Sequence, residues 1–198
     1  MSSRTLHRGR LFGRMASAWM VGGLVLLVIG LGAGADTGQW ITDQDSGCAV
    51  WNPAPQPGES IEWNGDCVGD QASGYGILKW MRNGVEKERA EGNFSAGRLE
   101  GKGVWQWTSG HRYQGDFSAG EFSGEGVFTW PDGAKYSGEF RNNNRHGIGK
   151  HQAPNGARYE GPYRGGKRHG VGRCYQPGDG WSSCQWRDGE RIDGLTEV

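Results

Sequence analysis

Between residues 94 and 186 apolar and polar positions alternate in short runs of strand length, and the runs recur. Phe94, Phe117, Phe140, Tyr163 and Trp186 stand 23 residues apart. Gly92, Gly115, Gly138 and Gly161 keep the same beat two residues earlier, and Tyr113, Tyr136 and Tyr159 two before that. Residues spaced by two share one face of an extended strand, so Tyr113 and Phe117 flank the bare backbone of Gly115. A second run does the same with Gly124, Gly126, Phe128 and Trp130, and one period earlier with Gly101, Gly103, Trp105 and Trp107. Self-similarity at a fixed period marks a repeat array.

Between the two runs a turn position reads Gly97, Gly120, Asn143, Gly166 and Gly189. Asn is the residue that best tolerates positive φ after Gly, so a left-handed turn residue is expected there. Pro131-Asp132-Gly133 and Pro154-Asn155-Gly156 close the second run with turn formers. Each unit is therefore a β-hairpin, and successive hairpins add side by side. Helix is disfavoured, because glycine costs roughly 1 kcal/mol per position and no 3.6-residue apolar stripe offsets it. The expected fold is all-β: an elongated single-layer antiparallel sheet of tandem hairpins, preceded by an N-terminal hydrophobic helix.

The phased pattern Tyr113-x-Gly115-x-Phe117-x-x-Gly120-x-x-x-Gly124-x-Gly126 returns as Tyr136-x-Gly138-x-Phe140 with Gly147-x-Gly149. It returns again as Tyr159-x-Gly161-x-Tyr163-x-x-Gly166-x-x-x-Gly170-x-Gly172. It resembles the MORN repeat (membrane occupation and recognition nexus) over about two thirds of the chain. Ala90 stands where Tyr is expected, Asn143 where Gly is, and the unit from Trp63 to Arg89 fits only after a four-residue insertion. The resemblance implies a non-catalytic module for protein contacts, dimerisation or membrane association. Where the family includes enzymes, such as plant phosphatidylinositol phosphate kinases, catalysis belongs to a separate domain, and none is expected within these 198 residues.

The N-terminus departs from the repeat pattern. Arg4, Arg8, Arg10 and Arg14 precede an uncharged apolar stretch from Met15 to Ala35 that ends in Ala33-Gly34-Ala35. Basic flank, apolar run and small residues are the parts of a secretory signal, while the run is also long enough to span a bilayer. Residues 1–35 are thus a signal peptide or an uncleaved anchor that attaches the chain to a membrane through residues 15–35. In both cases the arginines stay cytoplasmic and the remainder is exported, periplasmic or facing the outside, which suggests a bacterial-type exported member of the family. Residues 36–62, with Pro53, Pro55 and Pro57, are expected to form an irregular cap. The array then covers 63–194: a degenerate unit at 63–89, units from 90, 113, 136 and 159, and a half unit at about 182–194.

Four cysteines in an exported chain imply disulfides. The repeat frame sets Phe128 opposite Gly138, which two periods on sets Cys174 opposite Cys184, within disulfide reach. Cys48 with Cys67 follows by exclusion. A metal site is not expected, since Cys48 and Cys184 fall at opposite ends of the array.

His146 and His169 keep the 23-residue beat, but equivalent positions lie two strands, roughly 10 Å, apart and do not suit one ion. Glu121, Glu125 and Glu139 lack a cleft to hold them as an acid and base pair. Gly-x-Gly strings without a following helix are not phosphate loops. No catalytic residue and no cofactor is expected.

Charge is more informative. The whole chain is neutral, with 22 basic and 22 acidic residues. Residues 141–173, however, carry Arg141, Arg145, Lys150, Arg158, Arg164, Lys167, Arg168 and Arg173 against Glu160 alone. This basic strip is a candidate surface for anionic lipid or an envelope polymer. The rings of Phe94, Trp105, Trp107, Tyr113, Phe117, Phe128, Trp130, Tyr136, Phe140, Tyr159 and Tyr163 line one side of a one-layer sheet. They are expected to leave an exposed aromatic groove, which points to a protein partner or self-association. Nucleic acid is not an expected partner of an exported chain. The sequence thus reads as a scaffold or protein-interaction module at the cell envelope, with lipid or polymer binding as the alternative.

Overall fold

A computed structural model describes residues 38–193. The expected N-terminal helix lies outside them, and among the described residues no helix is long and apolar enough to cross a membrane. The described chain is all-β. Its strands are β1 (Gln39–Thr42), β2 (Ala49–Asn52), β3 (Glu59–Trp63), β4 (Asp66–Val68), β5 (Gln71–Arg82), β6 (Val85–Ser95), β7 (Arg98–Trp107) and β8 (Arg112–Ser118). They continue with β9 (Glu121–Thr129), β10 (Lys135–Arg141), β11 (Asn144–Gln152), β12 (Arg158–Arg164), β13 (Lys167–Arg168), β14 (Gly170–Gln176), β15 (Gly180–Arg187) and β16 (Glu190–Arg191). From β5 onward each strand pairs antiparallel with the next in one open sheet, β13 and β14 both pairing with β12.

The segment expected to be irregular is not. Residues 38–62 contain β1, β2 and most of β3, with Trp40 opposite Trp51 and Ala49 meeting Gln71 of β5 in the one parallel contact. The three prolines fall together in the connection between β2 and β3, which leaves the flanking backbone free to pair.

The turn between the strands of each unit is a two-residue link with both φ values positive: Ala96-Gly97, Ala119-Gly120, Asn142-Asn143, Gly165-Gly166 and Asp188-Gly189. That is the type I′ geometry whose twist matches the flanking strands. Asn143 uses its side chain as well: Oδ1 accepts from the Phe122 amide at 2.8 Å. Each turn also reaches the preceding unit. The amides of Gly97, Gly120, Asn143, Gly166 and Gly189 donate to the carbonyls of Ala72, Leu99, Phe122, Arg145 and Arg168.

Register corrects one expectation. Phe128 lies opposite Tyr136, not Gly138, because the loop is closed by Trp130 N–H donating to Ala134 O and so centres on Asp132. The same frame two units on puts Cys174 opposite Ser182 and Cys184 opposite Gly172. The cysteines are diagonal neighbours on one face, with Cα atoms 5.9 Å apart, and form a disulfide, as do Cys48 and Cys67.

A file of glycines crosses the sheet. Gly76, Gly92, Gly103, Gly115, Gly126, Gly138, Gly149 and Gly161 are successive cross-strand partners. The rings of Trp63, Tyr113, Tyr136 and Tyr159 lie over this file, against Gly76, Gly126, Gly149 and Gly172. In the unit where Ala90 replaces Tyr, Leu99 covers Gly92 and Gly103 instead. The three tyrosine hydroxyls repeat one bond, Tyr113 to Asp116 O, Tyr136 to Glu139 O and Tyr159 to Pro162 O, at 2.9, 3.0 and 3.1 Å. Rings laid flat over bare backbone let one sheet bury a core without a second layer.

Candidate functional site

The aromatic positions are that core and not an exposed groove. Phe94, Tyr113, Phe117, Phe128, Tyr136, Phe140, Tyr159 and Tyr163 are buried, and Trp105, Trp107 and Trp130 are partly buried against them. Edge-to-face contacts carry the packing from unit to unit. Tyr113 meets Phe117 at 5.1 Å and Phe140 at 5.0 Å, and Tyr136 meets Phe140 at 5.1 Å and Tyr163 at 5.0 Å. Each such pair contributes about 0.5–1.5 kcal/mol beyond area burial, so rings from adjacent units close over the space that a single hairpin would leave open.

The basic strip divides between the two faces. Arg141, Lys150, Arg158, Arg164, Lys167 and Arg173 are exposed. Lys150 pairs with Glu160 at 3.8 Å and Arg164 with Asp188 at 3.0 Å, exposed ion pairs of small worth. Arg158 and Arg173, both exposed, lie over half-buried Tyr175 and exposed Trp181, whose rings are 5.4 Å apart, at the C-terminal end. Arg145 and Arg168 turn instead onto the aromatic face. They occupy the unit position held by Leu99 and Phe122 earlier in the array.

There Arg145 stacks over Tyr163, Tyr136 and Trp130 at 5.2, 5.7 and 5.8 Å from Cζ to ring centre, and its Nη2 donates to Gly166 O at 2.6 Å. Arg168 stacks over Trp186 at 4.6 Å and Tyr159 at 4.9 Å, and its Nη2 lies 3.3 Å from His151 Nδ1. A guanidinium can only donate, so His151 Nδ1 accepts and the ring proton sits on Nε2. Burial, then the charges of Arg168 and Arg145, hold the His151 pKa down to about 4. Burial pushes the Tyr163 phenol up, while the same arginines pull it back. His151 has no partner on the 23-residue beat that is also a histidine. Its counterparts Trp105, Phe128 and Cys174 are all apolar, which is the signal by which sequence alone can single it out.

The opposite face carries a groove of about 990 Å³ that runs across β5 to β11. Gly103, Gly115, Gly126, Gly138 and Gly149 form its floor, and Tyr75, Val104, Val127 and Ile148 line it with Glu91, Lys102, Glu125, Glu139 and Lys150. Tyr75, Val127 and Ile148 are among the exposed large apolar residues, as is Val171 beyond the groove. Val104 with Val127, and Ile148 with Val171, hold the 23-residue spacing, a beat masked by the stronger aromatic one.

Two of the three carboxylates considered for chemistry, Glu121 and Glu139, have structural partners. Glu139 Oε1 accepts from the Ile148 amide at 2.9 Å, and Asp116 does the same one unit earlier for Glu125 N–H at 3.0 Å. Both clamp the backbone beside a positive-φ glycine, Gly147 or Gly124, where each unit carries a bulge. Glu121 accepts from Asn143 Nδ2 at 3.3 Å. Glu125 and Glu139 face each other in register, a like-charged pair. Of the histidines, His146 contributes its carbonyl to Tyr136, and His169 lies 3.4 Å from Asp188. Among the described residues no three His, Cys, Asp or Glu side chains cluster as a metal site.

Residues 91–112, 113–135, 136–158 and 159–180 each match the MORN repeat family model. No curated protein matches the chain. Repeats of this family generally serve as protein- and lipid-interaction modules.

Proposed function

Proceeding from four MORN repeats in tandem, we propose that this chain is a non-catalytic interaction scaffold exported to the cell envelope, and that its protein partner lies in the groove opposite the aromatic core. The carrying observation is the exposure of Tyr75, Val127 and Ile148 around a floor of bare backbone, while the rings on the other face are occupied with one another. Apolar side chains alternate there with charges of both signs, which suits an extended polypeptide better than a uniform polyanion. Glu91, Glu125 and Glu139 would repel an anionic membrane from this face. Export is supported by the basic and apolar residues of 1–35 and by the two cysteine pairs, which persist in oxidising compartments.

Photo-cross-linking tests this in envelope-exported protein. A cross-linker at Gln114 or Ser137 in the groove should capture a defined protein, and one at Trp107 should not. Val127→Glu with Ile148→Glu should abolish the capture. Capture from Trp107 alone would move the partner to the aromatic face and sink the proposal.

A second reading rests on Arg158, Tyr175, Trp181 and Arg173, whose exposed cations and exposed Trp181 ring suit an anionic headgroup at a membrane interface. Co-sedimentation with anionic vesicles that fades with salt, and is lost in Arg158→Gln with Arg173→Gln, supports it. Equal sedimentation with neutral vesicles counts against it.

A further inference from the structure

We propose that the cluster around Arg145 and Arg168 on the aromatic face binds a phosphate-type oxyanion. The site is distinct from the groove and stands whether or not the groove holds a polypeptide.

The cluster begins with a change of residue type at one repeat position. Leu99 and Phe122 fill it with apolar atoms, and both are buried. Arginine at the next two occurrences brings partly buried charge into an aromatic layer, which costs desolvation unless an anion accompanies it. Elsewhere the chain supplies such anions: Glu59 for Arg82, Asp188 for Arg164 and Asp193 for Arg191. Among the described residues no carboxylate lies within 4.0 Å of Arg145 or Arg168. Stacking on rings offsets part of the cost, but bonds to Gly166 O from Arg145, and to His151 Nδ1 and Tyr163 Oη from Arg168, leave most of the guanidinium N–H donors without a protein acceptor.

Two further polar atoms point the same way. Tyr163 is 3 % exposed; its Oη lies beside Arg168 as an acceptor, and its own O–H donates to no described residue. Trp186 Nε1, on the ring that Arg168 covers, is buried and equally unpartnered. Guanidiniums, a phenol O–H and an indole N–H are all donors, so the complement of the cluster is acceptor-rich and negative. A carboxylate matches the fork of one arginine; a tetrahedral oxyanion has oxygens for two that both approach Tyr163, Arg145 over its ring and Arg168 at its hydroxyl. The phosphate can come from a lipid headgroup or be free in solution.

The test uses the oxidised, exported chain. Thermal unfolding and titration calorimetry are run with inorganic phosphate against acetate at constant ionic strength. Co-sedimentation is run with phosphatidylcholine vesicles carrying about a quarter phosphatidylglycerol. The informative variants are Arg145→Phe and Arg168→Leu, which restore residues the array itself uses at that position and so preserve folding. Each should weaken phosphate binding about tenfold or more, with no fall in melting temperature. Tyr163→Phe should weaken it less and leave stability unchanged. Arginine-dependent binding of inorganic phosphate supports the site with free phosphate as ligand; arginine-dependent binding to vesicles alone supports it with a headgroup. Binding to neither, or binding undiminished in both arginine variants, overturns it.

Discussion

Tyr113 lies flat on Gly126, so closely that a methyl group on that glycine would fall 2.5 Å from ring carbon Cε2 and 2.6 Å from Cζ. The contact recurs as Tyr136 on Gly149 and Tyr159 on Gly172. Gly126→Ala must therefore push the ring off the sheet and should cost about 1–3 kcal/mol in denaturant unfolding. Tyr113→Ala should cost about 3–5 kcal/mol through the cavity it leaves. The two residues share one space, so the double variant should lose less than the sum. Strict additivity would mean that the ring does not rest on the glycine in solution.

Acid should weaken the fold through His151. Its folded pKa of about 4 lies below the ordinary histidine value of about 6.5, so between those limits the unfolded chain holds more protons. Stability is thus unaffected above that window and falls as pH drops through it, by about 2 kcal/mol after allowance for partial exposure. His151→Phe, the residue found one unit earlier at Phe128, should flatten the loss in a series of unfolding curves from neutral pH to pH about 4. Asp116, held low first by its hydrogen bond from Lys102, contributes only at still lower pH.

The turn at Asn143 separates backbone strain from hydrogen bonding. With φ at 63°, a β-branched side chain is strained, and Asn143→Val should cost about 2 kcal/mol. Asn143→Gly relieves all strain but forfeits the bond to the Phe122 amide, and should stay within about 1 kcal/mol of the parent. Equal losses in the two variants would show that strain is not the governing cost.

Reduction should act at the ends. Cys48 and Cys67 join the chain just before β2 to β4, and Cys174 and Cys184 join β14 to β15. By hydrogen exchange, reduced protein should lose protection in these strands while β8 to β11, held by the ring ladder, keep theirs. Simultaneous loss across all strands would show that the disulfides support the whole array.

The hairpin repeat, the left-handed turn residue and the Cys174–Cys184 pair were legible because each depends on local geometry or on a phase counted along the chain; Cys48 with Cys67 followed only by exclusion. Register was legible only to within two residues: whether Phe128 faces Gly138 or Tyr136 depends on which residue centres the loop, and the Pro131-Asp132-Gly133 triplet permits either. The aromatic face was read correctly as a face and incorrectly as open, since the closing contacts run between units, as from Tyr113 to Phe140, and no single unit encodes them. Sequence also grouped Arg145 and Arg168 with their basic neighbours. Their departure becomes visible only when the unit position they share with Leu99 and Phe122 is known to point inward.

The turn amides that reach back to the preceding unit make the array polar in time as well as in space. Gly120, Asn143, Gly166 and Gly189 donate to carbonyls that lie earlier in the chain, so as synthesis proceeds each new turn meets an acceptor already made. Counting these turn bonds alone, shortening the chain from its C-terminus strands carbonyls, whereas shortening it from the N-terminus strands amide donors, the less tolerated orphans. Stacking is therefore templated forwards, and a nascent array can be solid behind its growing end before its last hairpin exists.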